Sequence, residues 1–181
     1  MTRLLTIAFP VLDAGDAAWI DAFRQRHDVQ RRQVVAAHYT LVFGCSGVGL
    51  EAYTAHVARI AATTQPVDFE CRYAMLGADD EDDSAYVFLV PDQGASRLAL
   101  LHDRLYTGPL QPFLRLDLPY VPHITIGHSR DRLEAKARCD GLNARGVRVD
   151  GAVRELAVGT VRDGVFETLS THVLGAGSST A

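Results

Sequence analysis

The sequence predicts an α+β fold, and three observations point to it. Short β-branched runs alternate with stretches whose apolar residues recur at helical spacing. Their order is strand, helix, strand, helix, strand, strand, then helix, strand, helix and further strands. The chain has 181 residues, 48% hydrophobic and 22% charged, the size and composition of one globular domain. The tetrapeptide His38-Tyr39-Thr40-Leu41 returns in form as His123-Ile124-Thr125-Ile126. This gives the order a rough internal repeat, each half with a helix leading into one special strand.

Leu4 to Phe9 reads as the first strand, ended by Pro10. Asp13 to about His27 reads as an amphipathic helix, with Trp19, Ile20 and Phe23 on one face and Asp13 or Asp16 as cap. Arg24, Arg26, Arg31 and Arg32 mark a basic linker, and residues 34–43 read as the second strand, closed by Gly44. Leu50 to about Thr63 is the second helix. Phe69 to Leu76 and Tyr86 to Val90 are strands of a hairpin whose loop holds the acidic run Asp79 to Asp83. Ala95 to about Tyr106 is a helix with Leu98, Leu101 and Leu105 inward; Gly108, Pro109, Pro112 and Pro119 then break the chain. Pro122 opens the strand that carries the second tetrapeptide, and Arg130 to about Asn143 is the fourth helix. Residues 147–149, 153–161 and 165–174 are late strands, the last two joined by the turn signal Asp163-Gly164. One domain over 1–174 is expected, with 175–181 as a flexible small-residue tail.

Composition narrows the function. A net charge of −4 excludes a protein that coats long nucleic acid through its phosphates, but leaves room for a small anion in a local basic cleft. Cys45, Cys71 and Cys139 are an odd count without CxxC spacing, which predicts reduced thiols. No apolar run is long enough to span a membrane, and the apolar stretch after Arg3 is cut short by Pro10 and Asp13. A cytoplasmic monomer is expected.

The repeated tetrapeptide carries the chemistry. Seven His and twelve Thr in this length give, by random placement, about half of one His-x-Thr. Two copies, one per half, each on a predicted strand and followed by an aliphatic residue, are much rarer. Alternation puts His123 with Thr125, and His38 with Thr40, on one face of each strand. If the halves pack about a pseudo-twofold axis, both histidines reach one cleft. One imidazole can then act as base and the other as acid, while the threonine hydroxyls donate to phosphoryl oxygens. Such a site hydrolyses a phosphodiester without metal. No carboxylate or cysteine stands at ligand spacing beside either pair, so neither a metal nor another cofactor is expected.

On these eight residues, with Pro122 before the second copy, the sequence resembles the 2H phosphoesterase superfamily, which includes 2′-5′ RNA ligase-like proteins and cyclic phosphodiesterases. The resemblance implies two pseudo-symmetric lobes of antiparallel sheet with flanking helices around a central cleft. It implies His38 and His123 as the catalytic pair, Thr40 and Thr125 as phosphate ligands, and a small nucleotide or RNA end as substrate. Ala37 stands where proline often precedes the first motif, and no basic residue directly follows either copy.

Blander readings accompany each of these. The histidines could be satisfied core residues and the threonines strand formers. A binding module could keep the cleft without turnover. Tyr120 could stack on a base, or be half-buried packing with a wet hydroxyl. The four arginines could line a phosphate groove, or form a solvated helix end. His128 could join the site, or close an exposed strand.

Overall fold

The computed structural model describes residues 2–78 and 84–177; the acidic run Asp79 to Asp83 and residues 178–181 lie outside them. One curled antiparallel sheet of nine strands is flanked by helices. The strands are β1 (Leu4–Ala8), β2 (Val11–Leu12), β3 (Tyr39–Cys45), β4 (Val67–Ala78), β5 (Ala85–Gln93), β6 (Ile124–Ser129), β7 (Val149–Val153), β8 (Glu155–Arg162) and β9 (Val165–Val173). The helices are α1 (Ala14–His27), α2 (Val29–Val34), α3 (Leu50–Ala62), α4 (Ala95–Leu105) and α5 (Arg132–Ala144). The strand order is β2-β7-β4-β5-β6-β3-β1-β8-β9. On one side of the β6–β3 seam run β5, β4 and β7, on the other β1, β8 and β9. The expected two lobes are thus halves of one continuous sheet.

Local chemistry explains most elements. Asp13 caps α1, its carboxylate accepting from the Asp16 N–H at 2.8 Å, and Asp131 caps α5 through the Leu133 and Glu134 N–H groups. Asp163 (φ 52°) and Gly164 (φ 77°) both sit in the left-handed region, as the tight turn between β8 and β9 requires. Helix α3 lies against β8 and β9, α4 against β3, β4 and β5, and α5 against β4, β5 and β6; Tyr53, Val57, Leu98, Leu101, Leu105 and Leu142 share one buried core with Leu41, Leu89, Ile124 and Ile126. Each such aliphatic side chain contributes about 1.5–3 kcal/mol by leaving water. Cys45, Cys71 and Cys139 are buried and unbridged. No helix among the described residues is long and apolar enough to cross a membrane.

The structure corrects the sequence reading at several points. The stretch read as a basic linker and strand start folds as α2, and β3 begins only at Tyr39. Its two arginines and two glutamines are good helix formers, and only two apolar residues, at its ends, spoke for anything else. A two-residue strand, β2, pairs with β7. Part of the predicted tail is held, because the Gly175 and Gly177 N–H groups donate to the Ala61 and Ala62 carbonyls at the end of α3.

Candidate functional site

Both histidines stand one residue before their strands rather than within them. The seam between the halves has a single registered pair, Tyr39 opposite Ile124. Counting one residue each way in an antiparallel pair places His38 opposite Thr125 and Thr40 opposite His123. Alternation then puts these four side chains on one face and Tyr39 and Ile124 on the other. Exposure agrees: Tyr39 and Ile124 are 0% exposed, as are Leu41 and Ile126, while the four motif residues are half-buried. The two motifs are therefore crossed, each histidine facing the threonine of the other copy across the seam where strand pairing stops.

The same backbone device orients both rings. His38 Nδ1 donates to the Ala36 carbonyl at 2.8 Å, and His123 Nδ1 donates to the Val121 carbonyl at 2.7 Å. A carbonyl only accepts, so each Nδ1 carries the proton and each Nε2 is left for the groove. Pro122 sets one of these turns; Ala37 makes the other without proline's fixed φ.

Burial lowers the pKa of both imidazoles below 6.5, because it disfavours the cation. His38 is brought down to about 4, with the nearby charges of Arg24 and His123 adding to burial and the Ala36 carbonyl opposing them. Arg24 is only 3% exposed and bridges Asp28 at 3.1 Å, so it is no solvated helix end. Asp28 nevertheless has a raised pKa, since burial outweighs the guanidinium beside it.

Behind β3, side chains replace the strand pairing that β6 does not supply. His102 Nδ1 donates to the Leu41 carbonyl at 2.9 Å, and the Phe43 N–H donates to the Tyr106 hydroxyl at 2.9 Å. Tyr120 belongs to this scaffold. Its ring stacks on His102 at 3.6 Å, and its hydroxyl donates to the Thr40 carbonyl at 3.0 Å. One face and the polar tip of the ring are taken, and through its hydroxyl Tyr120 positions the backbone of Thr40.

The two flanks of the groove differ. On the β5 side the Phe88 ring stacks on His123 at 3.7 Å and on Tyr86 at 5.5 Å. Arg31 donates to the Tyr86 hydroxyl and lies 4.7 Å over its ring. Between the pairs Phe88–Thr125 and Val87–Gly127, β6 bulges by one residue. The bulge turns His128 onto the groove face, 5.3 Å from Tyr86. On the β1 side only the edge of Phe9 approaches His38, at 6.5 Å, with Phe166 beyond it at 6.0 Å. Sequence reasoning missed Phe88 and Tyr86. Their signal was the alternation Tyr86-Val87-Phe88-Leu89, in which the aromatics share a face with neither aliphatic.

Among the described residues no three His, Cys, Asp or Glu side chains gather as metal ligands. The family model of the 2'-5' RNA ligase superfamily matches residues 12–164. Among solved structures, TT0787 of Thermus thermophilus is similar with a TM-score of 0.63 at 19% identity, over 96% of this chain and 98% of that one. E. coli LigT in its apo form gives 0.59 at 21%, over 96% and 97%. Usb1 of Kluyveromyces marxianus gives 0.54 at 10%, over 96% and 97%. Comparison with curated proteins gives no match.

Proposed function

The chain belongs to the 2'-5' RNA ligase superfamily, and from that premise we propose that it is a phosphoesterase of the 2H type. It hydrolyses a cyclic phosphate or 2′-5′ phosphodiester of a nucleotide or RNA end by paired-histidine acid–base catalysis. The observation that carries this reading is the twin orientation of His38 and His123. Each is fixed through Nδ1 to the carbonyl two residues before it, beside the threonine of the other motif. E. coli LigT has been solved with 3'-AMP and with phosphate, ligands of the class proposed.

In the proposed reaction the phosphoryl group lies between the motifs, its oxygens accepting from the Thr40 and Thr125 hydroxyls. A water attacks phosphorus and loses its proton to one Nε2. The bond from phosphorus to the sugar oxygen breaks, and that oxygen takes the proton held on the other Nε2. The product is a phosphomonoester, and the histidines have exchanged protonation states. His38, with its pKa brought down to about 4, is the base. His123 is the acid, since it lacks the added cationic influence of Arg24. The bound phosphodiester, a monoanion, raises both pKa values and so favours the protonated acid.

The test is hydrolysis of a nucleoside 2′,3′-cyclic phosphate by the purified protein in excess chelator. Product formation supports the reading. Binding without product would replace it with a nucleotide-binding module, and activity lost to the chelator would replace it with a metal-dependent mechanism.

A further inference from the structure

We propose that the cationic pocket at the His128 end of the groove is a second anion site. It holds a further phosphate of the same substrate, so that the protein prefers nucleotides or RNA ends carrying two phosphoryl groups. The inference rests on the proposed function for the identity of its substrate.

Two adjoining hollows share Gln30, Arg31 and His128. One, of about 510 Å³, extends to Ser129 and Arg130. The other, of about 190 Å³, extends to His27 and Arg138, with Arg26 and Asp28 at its wall. Four arginines thus converge from the end of α1, from α2, from the end of β6 and from α5, in a chain whose net charge is −4. The local carboxylates offset them only in part. Asp28 bonds Arg24 through Oδ2 and leaves its buried Oδ1 without a hydrogen-bond partner at the pocket wall, and Glu134 is shared between Arg138 at 2.5 Å and the Ser129 hydroxyl at 2.5 Å. Arg26 and Arg130 have no ion pair among the described residues.

His27 supplies a second observation. Its Nδ1 is buried and has no hydrogen-bond partner, and it lines the same pocket. A buried ring nitrogen without a partner costs about 1–3 kcal/mol unless something fills the role. Burial, with Arg138 and Arg26 nearby, lowers the pKa of this imidazole, while Glu134 opposes them. A like-charged cluster around an unmet polar atom is repulsive when empty and becomes favourable around an anion. Arginine is the side chain best shaped for phosphate, through its planar fork of donors.

The pocket also stands at the right place. His123 lies on the Phe88 ring and Arg31 on the Tyr86 ring, and those rings are neighbours in one stack with centroids 5.5 Å apart. From Thr125 to His128 the strand advances by about 10 Å at its usual rise. A phosphate at the far end of the same nucleotide, or on the next linkage, spans such a distance.

The experiment compares a nucleoside 2′-monophosphate with the matching 2′,5′-bisphosphate by calorimetry, on the wild type and on a variant combining Arg26→Ala and Arg130→Ala. Neither arginine touches the paired motifs, so the fold and monophosphate binding serve as internal controls. The wild type is expected to bind the bisphosphate about tenfold more tightly, with a steeper salt dependence. The variant is expected to lose that advantage while its monophosphate affinity stays within about twofold. Equal affinity of the wild type for both nucleotides overturns the inference, and so does a preference that survives in the variant. The two proposals separate in a parallel turnover assay. Hydrolysis of a cyclic phosphate without any bisphosphate preference leaves the catalytic reading standing and this one refuted. An arginine-dependent bisphosphate preference without hydrolysis does the reverse, and failure to bind either nucleotide refutes both.

Discussion

The two halves of the groove share a backbone and differ in their surroundings. In each, a histidine stands one residue before a strand, donates through Nδ1 to the carbonyl two residues back, and faces the threonine of the other half. Around His123 the neighbours are Phe88, Tyr86, Arg31 and His128; around His38 they are Phe9, Phe166 and the buried Arg24–Asp28 pair. In the proposed reaction the shared part places two nitrogens on one phosphate. The unshared part divides their labour there, because burial and, after it, the charge of Arg24 lower the pKa of His38. It also leaves one flank aromatic and cationic, fit for the rest of a nucleotide. A repeated motif, then, builds the reaction, and divergence around it builds direction and selectivity.

Removing either histidine breaks the comparison most severely. His38→Ala and His123→Ala are each expected to lose at least about 10²-fold in kcat on a 2′,3′-cyclic nucleotide. The double variant should fall little further, since the two act as a unit. Full activity in either single variant would deny a paired site. Thr40→Ala and Thr125→Ala come next, each losing about 10- to 100-fold, mostly in kcat, as loss of one donor to developing charge does. A purely structural threonine would instead lower the melting temperature and leave kcat alone.

Protonation sharpens the difference between the halves. Both histidines are less basic than the usual 6.5, so the free enzyme's kcat/KM should follow a bell lying below that pH. By NMR, His38 should titrate near 4, and His123→Asn should move it upward by removing a nearby positive charge. The sign for stability follows from linkage. The unfolded His38 binds a proton below about 6.5 and the folded one only near 4, so stability is complete above that window and declines as pH falls through it. His38→Gln should flatten the decline. The smallest effect is expected at the scaffold. Tyr120→Phe, which removes the hydroxyl from the Thr40 carbonyl, should cost severalfold in kcat with KM nearly unchanged, consistent with one hydrogen bond of about 1 kcal/mol.

The sequence made the repeated motif legible because its signal is local. The alternation of His and Thr with apolar residues at 39, 41, 124 and 126 marks the motif face and the buried face, and the structure keeps that division. Helices α1, α3, α4 and α5 were legible for the same reason, through apolar spacing and caps such as Asp13. What escaped was long-range. The crossing of the motifs depends on the register of Tyr39 with Ile124, residues far apart in the chain. The use of Phe88 and Tyr86 depends on β5 lying beside β6, and the place of His128 depends on a one-residue bulge. The contacts of Tyr120 with His102 and the Thr40 carbonyl are likewise long-range and have no local signal. The helix at 29–34 was hidden by its charge, which reads as a linker until α1 and β9 give it somewhere to rest.

The most direct measurement is a crystal structure with a nucleoside 2′-monophosphate in the groove. The account predicts one phosphoryl group within about 2.6–3.2 Å of both Nε2 atoms, of His38 and His123, and of the hydroxyls of Thr40 and Thr125. A phosphate held by one motif alone, or seated away from both, would contradict it.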